Sequence, residues 1–210
     1  MARRLMTIRM RLQLIGLVTV LWFGPAAAQT LPTELISALR AGGHTFVMRH
    51  AHSPSERPDA ASAHRDNVRL ERQLDTEGRA AAVAMGIAVR NLGIPIGEIL
   101  TSPTFRALET VQALDLGDAR SVEELGDGGL DMRPDVEGKR PAWLRAKASE
   151  PPPPASNVLL ITHLPNLRGA FGYDAAGMAD GETLILRPDG GRVVVVGRVP
   201  IDEWSSLATD

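Results

Sequence analysis

Cysteine is absent from all 210 residues. That excludes disulfides and a lipidation site at any cleavage point, so stability rests on the core alone even in an oxidising compartment. No apolar run of membrane-spanning length accompanies this. Residues 12–23 are apolar except for Gln13, Gly16 and Thr19, about a dozen positions where a bilayer requires roughly 20. An excess of positive charge is lacking too, with 23 Lys and Arg against 25 Asp and Glu. A nucleic-acid partner would favour a basic face, and none is expected. Neither an internal repeat nor a domain-splitting linker is visible.

What is present begins with an ordered leader. Arg3, Arg4, Arg9 and Arg11 precede the apolar run without an acid among them, Gly24-Pro25 breaks it, and Ala26-Ala27-Ala28 follows. Basic, apolar and small residues in that order read as a secretory signal over residues 1–28. The protein is therefore expected to be exported, periplasmic or secreted, without stable membrane insertion of the mature chain. Residues 29–210 are left with 19 basic and 25 acidic side chains. Their length and ordinary globular composition suit a single domain.

Along that domain, strand-like runs alternate with helical patterns. Residues 31–41 read as a helix stopped by Gly42-Gly43, and residues 45–48 as a short buried strand. Asp75 or Thr76 is a cap for a helix over residues 77–92, with Ala81, Met85, Ala88 and Leu92 on one stripe. Residues 96–101 form the next strand. Ser102-Pro103 is the pattern of an N-cap followed by proline at the first helical position. The region 115–157 is irregular and holds the proline run 151–154, read as an extended surface loop. Residues 158–162 are apolar up to a final threonine. Residues 184–187 and 192–198 suit a hairpin turning at Asp189-Gly190-Gly191. The fold class is α/β: a three-layer sandwich, its mostly parallel central sheet covered by helices on both faces.

In such sheets ligands sit beyond the carboxyl ends of the strands. Arg49-His50, Arg106 and Thr162-His163 follow three strand ends and are thereby brought to one edge. Their chemistry agrees. A neutral imidazole is a competent nucleophile toward phosphorus, and guanidinium groups hold phosphoryl oxygens in bidentate fashion. A second histidine can stabilise charge as it builds on the equatorial oxygens.

These segments resemble the motifs of the histidine phosphatase superfamily, the group that contains cofactor-dependent phosphoglycerate mutases and phosphohistidine phosphatases. Arg49-His50-Ala51 is similar to its Arg-His-Gly signature, with alanine for glycine. Leu100-Thr101-Ser102-Pro103 with Arg106-Ala107 and Glu109-Thr110 resembles the second motif, and Ile161-Thr162-His163 the third. Leu74-Asp75-Thr76-Glu77-Gly78-Arg79 is similar to the segment opening the family's first long helix. The resemblance spans roughly residues 44–200. It implies a phosphatase acting on a small phosphorylated substrate without cofactor or metal, with His50 as the phosphorylated residue. Arg49 and Arg106 would bind phosphate, and His163 would complete the pocket. It also implies an acidic residue after the third strand, where Asp127 fits the spacing; Glu124 and Glu182 are the alternatives.

Other functions remain open on the residues alone. A non-catalytic phosphate or phosphosugar binder would keep the pocket without turnover. A mutase would need a priming cofactor that export makes hard to supply. His50, His52 and His163 suggest a metal-dependent hydrolase, although Arg49 beside them would repel a cation. His44 and His64 read as surface residues.

Overall fold

The computed structural model describes residues 33–128, 135 and 138–208. The expected leader, residues 1–28, lies outside them, as do Leu31 and Pro32 of the first expected helix. Helix α1 spans Thr33–Ala41, β1 Thr45–Arg49, α2 Thr76–Asn91, β2 Ile96–Thr101, α3 Phe105–Leu114 and β3 Ala119–Ser121. After them come α4 at Lys139–Ala148, β4 at Asn157–Thr162, α5 at Leu164–Phe171, β5 at Thr183–Asp189, β6 at Arg192–Val199 and α6 at Glu203–Leu207.

The six strands form one sheet in the order β3-β2-β4-β1-β5-β6. The first four run parallel, β5 is antiparallel to β1, and β6 is antiparallel to β5. Every residue of β4 is buried, which explains why its sequence is apolar without alternation. Successive side chains leave a strand on opposite faces, and the core divides accordingly. Phe46, Met48, Leu159 and Ile161 pack with α1, α2, α3 and α6, while Val47, Val158 and Leu160 pack with α4 and α5. Helices on both faces give the expected three layers, and among the described residues no helix is long and apolar enough to cross a membrane.

Local signals placed α2 well. Asp75 is its N-cap and accepts a bond from Gly78 N. Its buried stripe is shifted slightly from the expected one, with Ala82 buried and Ala81 only partly so. Gly78 is required: a Cβ there would lie 2.2 Å from the carbonyl oxygen of His52, so this helix start packs directly on the loop after β1. Two expectations need correction. The irregular region 115–157 contains β3 and α4. Ser102 does not cap α3; Thr104 holds the N-cap position, because Ser102 N is still engaged by Ile161 O of β4 at 3.0 Å.

Candidate active site

The ends of β1, β2 and β4, neighbours in the sheet, are laced together by main-chain bonds that outrun the strands. His50 N donates to Thr162 O at 3.1 Å, and Ser102 N to Ile161 O. The side chains that follow these ends meet: His50, Arg106 and His163 are all buried, and the two imidazole centroids lie 5.1 Å apart. Arg106 occupies the first turn of α3, the end of a helix where the dipole is positive.

The hydrogen bonds of His50 fix its chemistry. Its Nδ1 lies 2.8 Å from Ala51 O. A carbonyl only accepts, so Nδ1 carries the proton and Nε2 the lone pair. Arg106 Nε donates to that Nε2 at 3.2 Å. Burial, helped by the nearby positive charges of Arg106, Arg49 and Arg72, pushes the His50 pKa down to about 3. The imidazole is thus neutral at ordinary pH, with its basic nitrogen beside a guanidinium. Ala51 replaces glycine without strain. It is absent from the positive-φ residues, it is fully buried, and its N–H donates to Thr110 Oγ1.

His163 is fixed in the opposite tautomer. Arg106 Nη2 lies 3.1 Å from its Nδ1, and a guanidinium only donates, so Nδ1 accepts and Nε2 carries the proton. That proton is directed at Ser102 Oγ, 2.8 Å away. Burial and the Arg106 charge hold the pKa of His163 well below the usual histidine range. Asp127 closes the cluster. Its carboxylate bonds Arg106 Nη2 and lies 3.7 Å from His163 Nδ1.

Arg49 is bonded outside this cluster, although its charge helps lower the His50 pKa. Its Nη1 donates to Met178 O at 2.8 Å, and its Nη2 lies 2.6 Å from Asp180 Oδ1. Its Nε is buried without a hydrogen-bond partner. The two alternative acids are also elsewhere: Glu124 is exposed, and the buried Glu182 is bonded by Arg198 and by Ala179 N. His52 Nδ1 pairs with Asp75 Oδ2 at 2.8 Å. Among the described residues, no group of three or more metal-ligating side chains is arranged to hold an ion. His44, expected at the surface, is buried; Asn157 Oδ1 accepts from its backbone N–H, and its ring bonds Gly42 O. His64 is partly exposed, its ring centroid 5.9 Å from that of Phe105.

Sequence reasoning missed Arg72. Its Nε and Nη2 donate to Pro54 O and Ser53 O, both at 2.6 Å, which ties it to the loop after His50. Its charge acts on His50, Arg106 and His163 alike. The preceding Glu71 accepts from Phe105 N, joining this segment to the start of α3. The one available signal was position, two residues ahead of the motif-like stretch beginning at Leu74.

The sequence matches no family model and no curated protein. Solved structures do match in fold. The protein histidine phosphatase SixA, solved with tungstate, is 20% identical over 76% of this chain and 97% of its own, with a TM-score of 0.55. SixA from Agrobacterium tumefaciens is 19% identical over 75% of this chain and 98% of its own, with a TM-score of 0.53. The chain shares the fold of these two solved structures.

Proposed function

We propose that the chain is a member of the histidine phosphatase superfamily that hydrolyses a phosphate monoester through a phosphohistidine on His50. The observation that carries this is the pair of hydrogen bonds on His50. With the proton held on Nδ1 by Ala51 O and the ring kept neutral by burial, Nε2 is available to attack phosphorus. Arg106, already at that nitrogen, is placed to hold the phosphoryl oxygens where charge develops.

In the first step the bond from His50 Nε2 to phosphorus forms, the ester P–O bond breaks, and the leaving oxygen takes a proton from Asp127. Water then attacks phosphorus and gives its proton to the Asp127 carboxylate. The N–P bond breaks, and inorganic phosphate leaves. Asp127 must first be protonated, and in the ligand-free site its carboxyl group is bonded to Arg106. Phosphoryl oxygens arriving at Arg106 take the place of that carboxylate, and their own negative charge favours its protonated form. The acid is thereby made ready by the substrate. Arg49 contributes a second guanidinium, whose unpartnered Nε–H lacks the acceptor that a phosphoryl oxygen provides. No step calls on a metal or cofactor.

The basic, apolar and small order of residues 1–28 supports export, which favours phosphatase over mutase because no priming cofactor is then at hand. Incubation with a labelled phosphate donor should leave an acid-labile, base-stable adduct on His50. A label on serine or aspartate would refute the mechanism.

A further inference from the structure

Residues 178–182, between the turn after α5 and the start of β5, grip Arg49-His50 at four points. Met178 O accepts from Arg49 Nη1 at 2.8 Å, and Asp180 Oδ1 lies 2.6 Å from Arg49 Nη2. Gly181 N donates to His50 O at 2.9 Å, and Arg49 N donates to Glu182 O at 3.0 Å. The grip is itself secured, since Glu182 is bonded to Arg198 of β6 and to Ala179 N. Gly181 sits at φ +76°, and a Cβ there would lie 2.6 Å from Ile201, so the bend requires glycine.

Asp180 is mostly buried, with its side chain 19% exposed. The contact of its Oδ1 with Arg49 is close but too bent to be a hydrogen bond, and that oxygen is left without an aligned partner, as is Arg49 Nε. A buried donor without an acceptor is destabilising unless something fills it. Both terminal nitrogens of the guanidinium are in contact with residues 178 and 180, and its buried Nε–H is left without an acceptor. We propose that Asp180 is a positioning residue, holding Arg49 so that this Nε–H can meet a phosphoryl oxygen. This rests on the phosphatase reading above.

The sign of one measurement separates positioning from competition. Asp180 is an anion beside an anion site, so removing its charge alone should tighten phosphate binding, whereas removing its hold on Arg49 should weaken it. Inorganic phosphate is titrated calorimetrically into the full-length protein and its variants. Asp180→Ala is expected to weaken binding on the order of 10-fold, as loss of a charged contact does. Asp180→Asn keeps an oxygen facing Nη2 and is expected to bind at least as tightly as wild type. In an Arg49→Ala background, Asp180→Ala should change nothing further, which a general loosening of the loop would not reproduce.

Tighter binding by Asp180→Ala would make Asp180 a competitor and overturn the proposal. Equal weakening with and without Arg49 would reduce it to a structural residue and overturn it too. Wild-type protein that binds phosphate as Asp180→Ala does removes this inference alone. Wild-type protein that neither binds phosphate nor hydrolyses an ester removes the phosphatase reading as well.

Discussion

The two ends of the same two strands, β1 and β4, each bury a polar cluster, and they solve the problem differently. At the N-terminal end, Asn157 accepts from His44 N and donates to Leu39 O and Pro95 O, and His44 Nδ1 bonds Gly42 O. Almost every partner is main chain, and every bond survives without a ligand. At the C-terminal end, His50, Arg106, His163 and Asp127 are partnered largely with one another, and Arg49 Nε has no partner. Both ends contain a buried histidine whose pKa is lowered by desolvation. Burial and a lowered pKa therefore do not distinguish the two ends. The partners do: at the C-terminal end they are largely side chains, which a ligand can displace, whereas the main-chain carbonyls at the other end stay in place.

The sharpest way to break this contrast is to remove one histidine from each end. His50→Ala should lower turnover of a nitrophenyl phosphate by at least about 10⁴-fold, as loss of a nucleophile does. His44→Ala should leave turnover within a few-fold while lowering the melting temperature. Comparable loss of activity in both would erase the distinction.

Within the C-terminal cluster, Asp127→Asn should slow an alkyl phosphate by about 10²–10⁴-fold, since a poor leaving group needs its proton. A nitrophenyl ester, whose leaving group needs little help, should be nearly unaffected. Glu124→Gln and Glu182→Gln are the controls; a leaving-group-dependent loss in Glu182→Gln alone would move the acid to the start of β5. Arg106→Ala should lower kcat by about 10²–10³-fold, the usual effect of losing one preorganised donor. Lysine should rescue only partly, because a point charge lacks the bidentate fork. A fully active lysine variant would show that Arg106 does not hold the phosphoryl group.

The smallest effect should be shared by both ends. His44 and His50 are neutral when folded and take up protons more readily when unfolded, so the unfolded state binds more protons below pH 6.5. The stability they contribute is complete above pH 6.5 and declines as pH falls toward the folded values, about 3 for His50. The slope is up to roughly 1.4 kcal/mol per pH unit for each histidine still neutral. Denaturant midpoints between pH 7 and 4 should show it, and His44→Gln and His50→Gln should each flatten it. An unchanged slope in His50→Gln would mean that its ring is already charged in the folded protein.

Much of this was legible in the sequence where one local signal decided the outcome. The apolar run before His163 reads as a buried strand, and Asp75 or Thr76 as the cap of α2; β4 is buried throughout and Asp75 is the cap. His50, Arg106 and His163 were found because they follow strand ends, and topology turns that into proximity. Helix α4 was missed because its periodicity is masked by Lys139, Arg140, Pro141, Arg145 and Lys147, leaving Arg140, Leu144 and Ala148 as its buried face. Three-residue β3, exposed throughout, carries no hydrophobic pattern. Arg72 and Asp180 were invisible because loops place them, by bonds to main chain and to Arg49 that no spacing encodes. Ser102 was misread because Ser-Pro satisfies the rules of a cap, while the bond of its N–H to β4 keeps it in the sheet.

The main-chain lacing around His50 has a consequence for motion. The amides of Arg49, His50 and Ala51 donate to Glu182 O, Thr162 O and Thr110 Oγ1, and the carbonyl of His50 accepts from Gly181. Three consecutive N–H groups are thus tied to three different segments of chain. No single segment's movement frees all three, and the bonds of His50 and Ala51 go to β4 and α3 rather than to a loop. Hydrogen exchange at His50 and Ala51 should therefore follow global unfolding, whereas exchange at Val68, which is 85% accessible, should run orders of magnitude faster. On the phosphatase reading proposed above, the phosphorylated side chain would be carried by backbone tied to three segments of the fold.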